Sequence, residues 1–200
     1  MPNIPIILLA AGASTRMGSS KALLPWDGAT LIESQIKKLL EIGQEVMVVL
    51  GAAPEQLIPI ISDLNVNYII NVNWSKGMST SIAFGVDYLI KNHPSSDAVL
   101  IASIDQPLVN LNHFNQLIMQ YKKGAQQIIV SESTKGWRGI PTVFDASYFE
   151  ELRKLSGDNG AKSVVKLYSE KVSSVFGANL LIDMDTQEIY EQLLKKITHQ

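Results

Sequence analysis

Short β-branched runs alternate along the chain with longer segments in which apolar residues recur at helical spacing. The strand-like runs are Ile6–Ala10, Val46–Leu50, Tyr68–Asn71, Ala98–Ser103, Gln127–Ser131, Thr142–Phe144, Val172–Phe176 and Leu180–Asp183. Several are apolar on both faces, as strands of a parallel sheet covered by helices must be. The clearest helix opens at Thr30, with Glu33 three residues on as a capping-box partner. It carries Ile32, Ile36, Leu39 and Leu40 on one stripe and stops at Gly43. Similar stripes run through Ile82, Val86, Leu89 and Ile90, through Phe114, Leu117, Ile118 and Tyr121, and through Ile189, Leu193, Leu194 and Ile197. This alternation predicts an α/β fold: one three-layer α/β/α domain over residues 1–200, with a mostly parallel, doubly wound sheet and right-handed crossovers. Ligands of such sheets bind beyond the carboxyl ends of the strands, at the topological switch point. The residues just after each strand are therefore the ones to read for chemistry.

Composition narrows that chemistry. Lys plus Arg number 17 and Asp plus Glu 19, so the chain lacks the basic excess that phosphate-driven nucleic-acid binding uses. Cysteine is absent, which removes thiolate metal sites, iron–sulfur clusters and cysteine nucleophiles. His93, His113 and His199 are too scattered for a multi-histidine site, so any metal would need oxygen ligands and would resemble magnesium. The apolar run Ile4–Ala13 is interrupted by Pro5 and Gly12 and lacks a basic leader. It falls well short of the roughly 20 residues of a membrane span. A soluble cytoplasmic protein, with neither nucleic acid nor membrane as partner, is the expectation.

The first strand runs into Ala11-Gly12-Ala13-Ser14-Thr15-Arg16-Met17-Gly18-Ser19-Ser20-Lys21. Two glycines allow close backbone approach to a polyphosphate, Arg16 offers a planar donor fork, and Lys21 offers a compact charge. A flexible connection bearing surface cations is the plainer alternative. The loop matches neither the P-loop nor the dinucleotide fingerprint. Strand Ala98–Ser103 ends in Ile104-Asp105-Gln106-Pro107, which points Asp105 at the ligand crevice, unless it only stabilises the turn at Pro107.

Leu9-Ala10-Ala11-Gly12-x-Ser14-x-Arg16-Met17-Gly18-x-x-Lys21-x-Leu23-Leu24-Pro25 closely resembles the signature of the MobA-like NTP transferase family. Within it, the motif is most similar to the molybdenum cofactor cytidylyltransferase branch. The resemblance implies that Leu9, Ala10, Ala11, Gly12, Ser14, Arg16 and Lys21 hold the nucleotide. It further implies CTP over GTP, because the guanylyl branch reads Ala-Gly-Gly where this chain has Ala10-Ala11-Gly12. Asp105 then matches the family's first metal ligand, holding Mg2+ against the α-phosphate, and Arg16, Lys21 and Asp105 are the implied catalytic residues.

Four further segments follow in the family's order. Asn71-Val72-Asn73-Trp74-Ser75-Lys76-Gly77-Met78-Ser79-Thr80-Ser81 resembles a nucleotide-side element and implies contacts from Gly77, Ser79 and Ser81. Arg138-Gly139-Ile140-Pro141-Thr142-Val143-Phe144 and Gly157-Asp158-Asn159-Gly160-Ala161-Lys162 resemble the acceptor side, with Arg138, Gly139, Asp158 and Lys162 at the acceptor. Leu181-Ile182-Asp183-Met184-Asp185-Thr186-Gln187-Glu188 makes Asp185 the implied second metal ligand, although Asp185 with Thr186 would equally serve to cap the last helix. The resemblance thus implies transfer of a nucleoside monophosphate from CTP, or another NTP, to a phosphate-bearing acceptor such as molybdopterin, with a molybdoenzyme as possible partner. Alternatives are a sugar- or polyol-phosphate nucleotidyltransferase and a non-catalytic NTP-binding accessory protein for molybdoenzyme maturation. With Arg138 and Lys162 offering charge, the acceptor pocket that the resemblance implies is expected to be open, polar and anion-seeking.

Overall fold

A computed structural model describes residues 2–13 and 20–198; Ser14, Arg16 and Gly18 of the glycine-rich loop lie outside it, as does His199. The strands are β1 (Ile6–Ala10), β2 (Pro25–Trp26), β3 (Ala29–Thr30), β4 (Val46–Leu50), β5 (Asn67–Ile70), β6 (Ala98–Ser103), β7 (Ile128–Ser133), β8 (Arg138–Asp145) and β9 (Val172–Ala178). Helices are α1 (Leu31–Leu40), α2 (Pro54–Ile61), α3 (Met78–Asn92), α4 (Leu111–Gln120), α5 (Phe149–Leu152), α6 (Lys162–Leu167) and α7 (Gln187–Thr198). A seven-stranded sheet has the order β5-β4-β1-β6-β8-β7-β9, while β2 and β3 form a separate hairpin. Pairing is parallel except for β8, which runs antiparallel to both β6 and β7. The mostly parallel α/β sheet is thus the predicted one.

Alternation decides the two cores. Ile6 and Leu8 of β1, with Val46 and Val48 of β4, pack against α1, α2, α4 and α7 on one face. Ile7 and Leu9, with Met47 and Val49, pack against α3, α5 and α6 on the other. The capping box reads as predicted at its N-terminal half: Thr30 Oγ1 accepts from Glu33 N at 3.4 Å. Gly43 ends the connection after α1 with φ +77°, a conformation that glycine alone adopts cheaply.

Two sequence expectations need correction. Leu180–Asp183 forms no strand, because the chain leaves β9 at Ala178 in a left-handed turn and crosses over the carboxyl end of the sheet. Its apolar pattern has another cause: Leu181 and Met184 cover the first core while Asp183 and Asp185 face the crevice side. The run Thr142–Phe144 extends back to Arg138. Since β8 is antiparallel, its first residues reach the same edge where the parallel strands end, and this delivers Arg138 and Gly139 to the ligand side.

Candidate active site

From β1 the chain builds outward through β4 to β5, then returns across β1 to place β6 on its other flank. The crevice of such a sheet opens where that direction reverses, beyond β1 and β6. Ile104 N donates to Leu9 O at 3.1 Å, locking the two strand ends side by side. Leu9, Ala10, Ala11 and Gly12 come from one end and Asp105 from the other, and they line a cavity of about 310 Å³ together with Lys21 and Asp185.

Lys21 sits on a short 3-10 turn (Lys21–Leu23) and is only 8% exposed. Its Nζ lies 3.2 Å from Oδ1 of Asp105 and 3.2 Å from Oδ1 of Asp185, and donates to Met184 O at 3.0 Å. A buried ammonium is tolerable when opposite charges surround it in this way. The C-terminal segment is fixed in the same place by Met184 N, which donates to Asp105 O at 2.7 Å. Thr186, not Asp185, receives the helix-capping bond, accepting from Ile189 N at 3.3 Å. Asp185 is thereby left to face Lys21. Next to it, Gln106 Nε2 donates to Asp183 Oδ1 at 3.0 Å. Desolvation raises the Asp183 carboxyl above its ordinary value, and the charges of Asp105 and Asp185 add to this.

A second cavity, of about 440 Å³, adjoins the first. Arg138, Gly139, Asp158 and Lys162 all line it, and Asp105, Asp185, Met78 and Ser103 border both cavities. Its chemistry differs from the expected polar pocket. Trp137, Ile140, Phe144 and Val165 give it an apolar body, and the cations Arg138, Lys162 and Lys166 stand among its walls. Arg138 is engaged by Glu132, whose Oε2 accepts from its Nε at 3.0 Å. Gly139 has no room for a side chain: a Cβ there would lie 2.6 Å from Trp137 Cζ2.

The wall between the cavities is the start of α3. Gly77 has φ +105°, and a Cβ on it would land on Asp158 Oδ1 and Gly157 O. Ser79 N donates to Gly157 O at 3.1 Å, and Ser79 Oγ donates to Gly160 O at 3.2 Å. Ser79 is therefore turned into the loop packing and does not line the nucleotide-side cavity, unlike Gly77 and Ser81. Ser81 itself accepts from Asn71 Nδ2 at 3.0 Å. Trp74, which stands inside the Asn71–Ser81 motif but was given no role, lines the first cavity; it fits because Gly51 offers no Cβ beneath it. Gln106, Trp137 and Lys166 were also missed, and only Gln106 stood inside a motif.

Asp105 and Asp185 converge on one point, at present held by the Lys21 ammonium, and both are hard oxygen donors. That set suits an ion such as Mg2+, which takes one or two carboxylates and completes its shell with phosphate oxygens and water. Among the described residues no cluster of three or more His, Asp or Glu is arranged to enclose a metal. An ion here would thus depend on its substrate.

Residues 6–173 match the model of the MobA-like NTP transferase domain. The chain belongs to that family. Relatives of known name include the nicotine blue oxidoreductase of Paenarthrobacter nicotinovorans, 32% identical over 81% of each chain. Another is the molybdenum cofactor cytidylyltransferase of Escherichia coli, 27% identical over 94% of each chain. The crystal structure of Rv0371c from Mycobacterium tuberculosis superposes with a TM-score of 0.84 at 25% identity, covering 97% of this chain and 98% of the other. Among the described residues, no helix is long and apolar enough to cross a membrane.

Proposed function

We propose that this family member transfers CMP from CTP to the phosphate of a molybdopterin-class acceptor, releasing pyrophosphate. The observation that carries the reading is the shared border of the two cavities: Asp105 and Asp185 line both. Donor and acceptor bound in adjoining cavities meet at the carboxylates that would hold the metal. The relative named a molybdenum cofactor cytidylyltransferase, matched over nearly its whole length, supports the choice of acceptor class.

In this reaction a phosphate oxygen of the acceptor attacks the α-phosphorus of the nucleotide, and the bond from that phosphorus to the bridging oxygen of pyrophosphate breaks. A phosphate monoester is a nucleophile near neutral pH, its second pKa being about 6, so no protein base is required. The protein's work is alignment and charge stabilisation. Lys21 faces the junction of the cavities and offsets charge gathering on the phosphates. Asp105 and Asp185 would hold Mg2+, whose contribution is to neutralise phosphate oxygens at the reacting centre. Arg16, outside the described residues, belongs by its motif to the triphosphate. The apolar body of the second cavity takes the acceptor's ring system, and Lys162 and Lys166 offer charge to its phosphate.

Pyrophosphate release measured over a grid of nucleotides and acceptors tests the reading. The expected result is release with CTP and molybdopterin and a lower rate with GTP. Turnover confined to sugar or polyol phosphates would overturn the acceptor, and nucleotide binding without release for any pair would overturn the activity.

A further inference from the structure

Asp105 begins a loop, so its carboxylate is only as well placed as residues 105–109 are held. The loop turns at Pro107, and Pro107 and Val109 are both buried. Backbone carbonyls withdrawn from water need donors. Both of theirs come from a single side chain on α1. Lys38 Nζ donates to Pro107 O at 2.8 Å and to Val109 O at 2.8 Å, with Gln35 Oε1 as third acceptor at 3.2 Å. The three N–H bonds of the ammonium are thereby assigned. From the opposite side Met184 N grips Asp105 O at 2.7 Å, and within the loop Val109 N donates to Gln106 O at 3.2 Å.

We infer that Lys38 is a positioning residue for the transfer reaction, holding the Asp105 loop from behind without touching nucleotide or acceptor. The inference rests on the reading of Asp105 as a carboxylate of the reacting centre. Lys38 lines neither cavity. Its neighbour Lys37 shows what an ordinary surface lysine does on this helix, pairing with Glu33 one turn back at 2.7 Å. Lys38 instead turns inward, where burial lowers its ammonium to about 8 against the opposing pull of Asp27 and Glu41. A cation surrenders hydration there, and the assigned carbonyls are the return.

The test compares Lys38→Met and Lys38→Arg with the parent in the full chain, reading amide hydrogen exchange over residues 105–111, pyrophosphate release and the half-saturating Mg2+ concentration. Lys38→Met is expected to speed exchange in that segment about tenfold while β6 stays protected. Its kcat should fall about 10- to 100-fold, the usual cost of a misplaced reacting group, with KM for CTP changed less than about twofold. The half-saturating Mg2+ concentration should rise, and Lys38→Arg should restore most of the loss. Asn110→Ala, which removes the α4 cap accepting from His113 N at 3.0 Å, destabilises the end of the same loop and should leave kcat near the parent's. If Lys38→Met does not fold, Lys38→Gln takes its place with the same readouts. Faster exchange with unchanged kcat and Mg2+ dependence would make Lys38 a purely structural clamp, and unchanged exchange would refute the hold itself. A parent protein that releases no pyrophosphate from any pair sinks the transfer reading and the positioning role with it, and the exchange arm then decides only whether Lys38 holds the loop.

Discussion

Nζ of Lys21 stands 3.2 Å from Oδ1 of Asp185, although 164 residues separate them in the chain. The contact closes the two ends of the fold onto the carboxyl edge of the sheet, where Asp105 waits at the same distance from the same ammonium. Removing the cation leaves two carboxylates facing each other in a partly closed site. Lys21→Met is therefore expected to cost transfer on the order of 10²–10³ in kcat, by analogy with a lost oxyanion donor. It should also lower the melting temperature, since a buried pair broken on one side leaves uncompensated charge. Steady-state kinetics and thermal melts of the variant check both effects. A melt shift without a kinetic loss would confine Lys21 to a structural role.

Asp105→Asn makes a cleaner probe of the metal reading. The residue is half-buried at a strand end, and its backbone carbonyl, which ties down Met184, survives the change. The fold should persist, as circular dichroism would report. Transfer should be abolished, while CTP binding measured by calorimetry should drop by less than about tenfold, because the glycine-rich loop remains. Near-normal turnover would return Asp105 to the role of a turn residue.

The resemblance grouped Lys21, Asp105 and Asp185, and the fold sets the Lys21 ammonium against both carboxylates. Of the three, only Asp105 follows directly from the strand–helix alternation, since it stands just past the end of β6. Residues carried in by packing were harder to see. Lys38 and Lys37 are adjacent lysines in one helix, and only the turn at Pro107 gives one of them the carbonyls of Pro107 and Val109 to hold. Trp137 precedes a motif, and its place is settled by the missing Cβ of Gly139. Helix α2 was hidden by Pro54 and Pro59, yet Pro54 sits at its first turn, where a missing N–H costs nothing. The β2–β3 hairpin announced itself in Asp27-Gly28, both with positive φ, a turn signature that the glycine-rich loop beside it overshadowed.

Gly77 tests the wall between the cavities. With φ +105° and ψ 167° it occupies a region almost restricted to glycine, and Asp158 and Gly157 fill the space a side chain would need. Gly77→Ala should destabilise the chain by on the order of 3 kcal/mol, from backbone strain and displacement of the Asp158 loop. Chemical denaturation measures it. A loss below about 0.5 kcal/mol, the scale of neutral surface changes, would show that the loop yields freely.

Nucleotide choice is the prediction with the smallest structural handle. Ala11 is 7% exposed at the mouth of the first cavity, and its carbonyl accepts from Ala52 N at 3.0 Å. Its methyl group is part of the surface against which a base would pack. CTP should exceed GTP in kcat/KM, and Ala11→Gly should narrow the ratio by removing that surface and loosening the backbone. Equal ratios in parent and variant would detach the choice from Ala11.

The last prediction concerns acid stability and a buried imidazole far from any titrating substrate. His113 is 2% exposed, and its Nε2 lies 2.8 Å from Ser131 Oγ. Ser131 donates its own hydroxyl hydrogen to Pro141 O at 2.6 Å, so the ring must donate through Nε2. Desolvation holds its pKa below the ordinary 6.5. Below pH 6.5 the unfolded chain binds a proton at His113 that the native chain refuses, so stability falls as pH drops from 6.5 toward the depressed native value. His113→Gln keeps a donor for Ser131 and removes the titration. Urea midpoints of the parent should decline between pH 7 and pH 5.5, above the range where most carboxylates take up protons. The variant should start lower, from imperfect packing beside Gly177, but its midpoint should stay flat over the same interval. A variant that declines as steeply as the parent would move the acid sensitivity to another group.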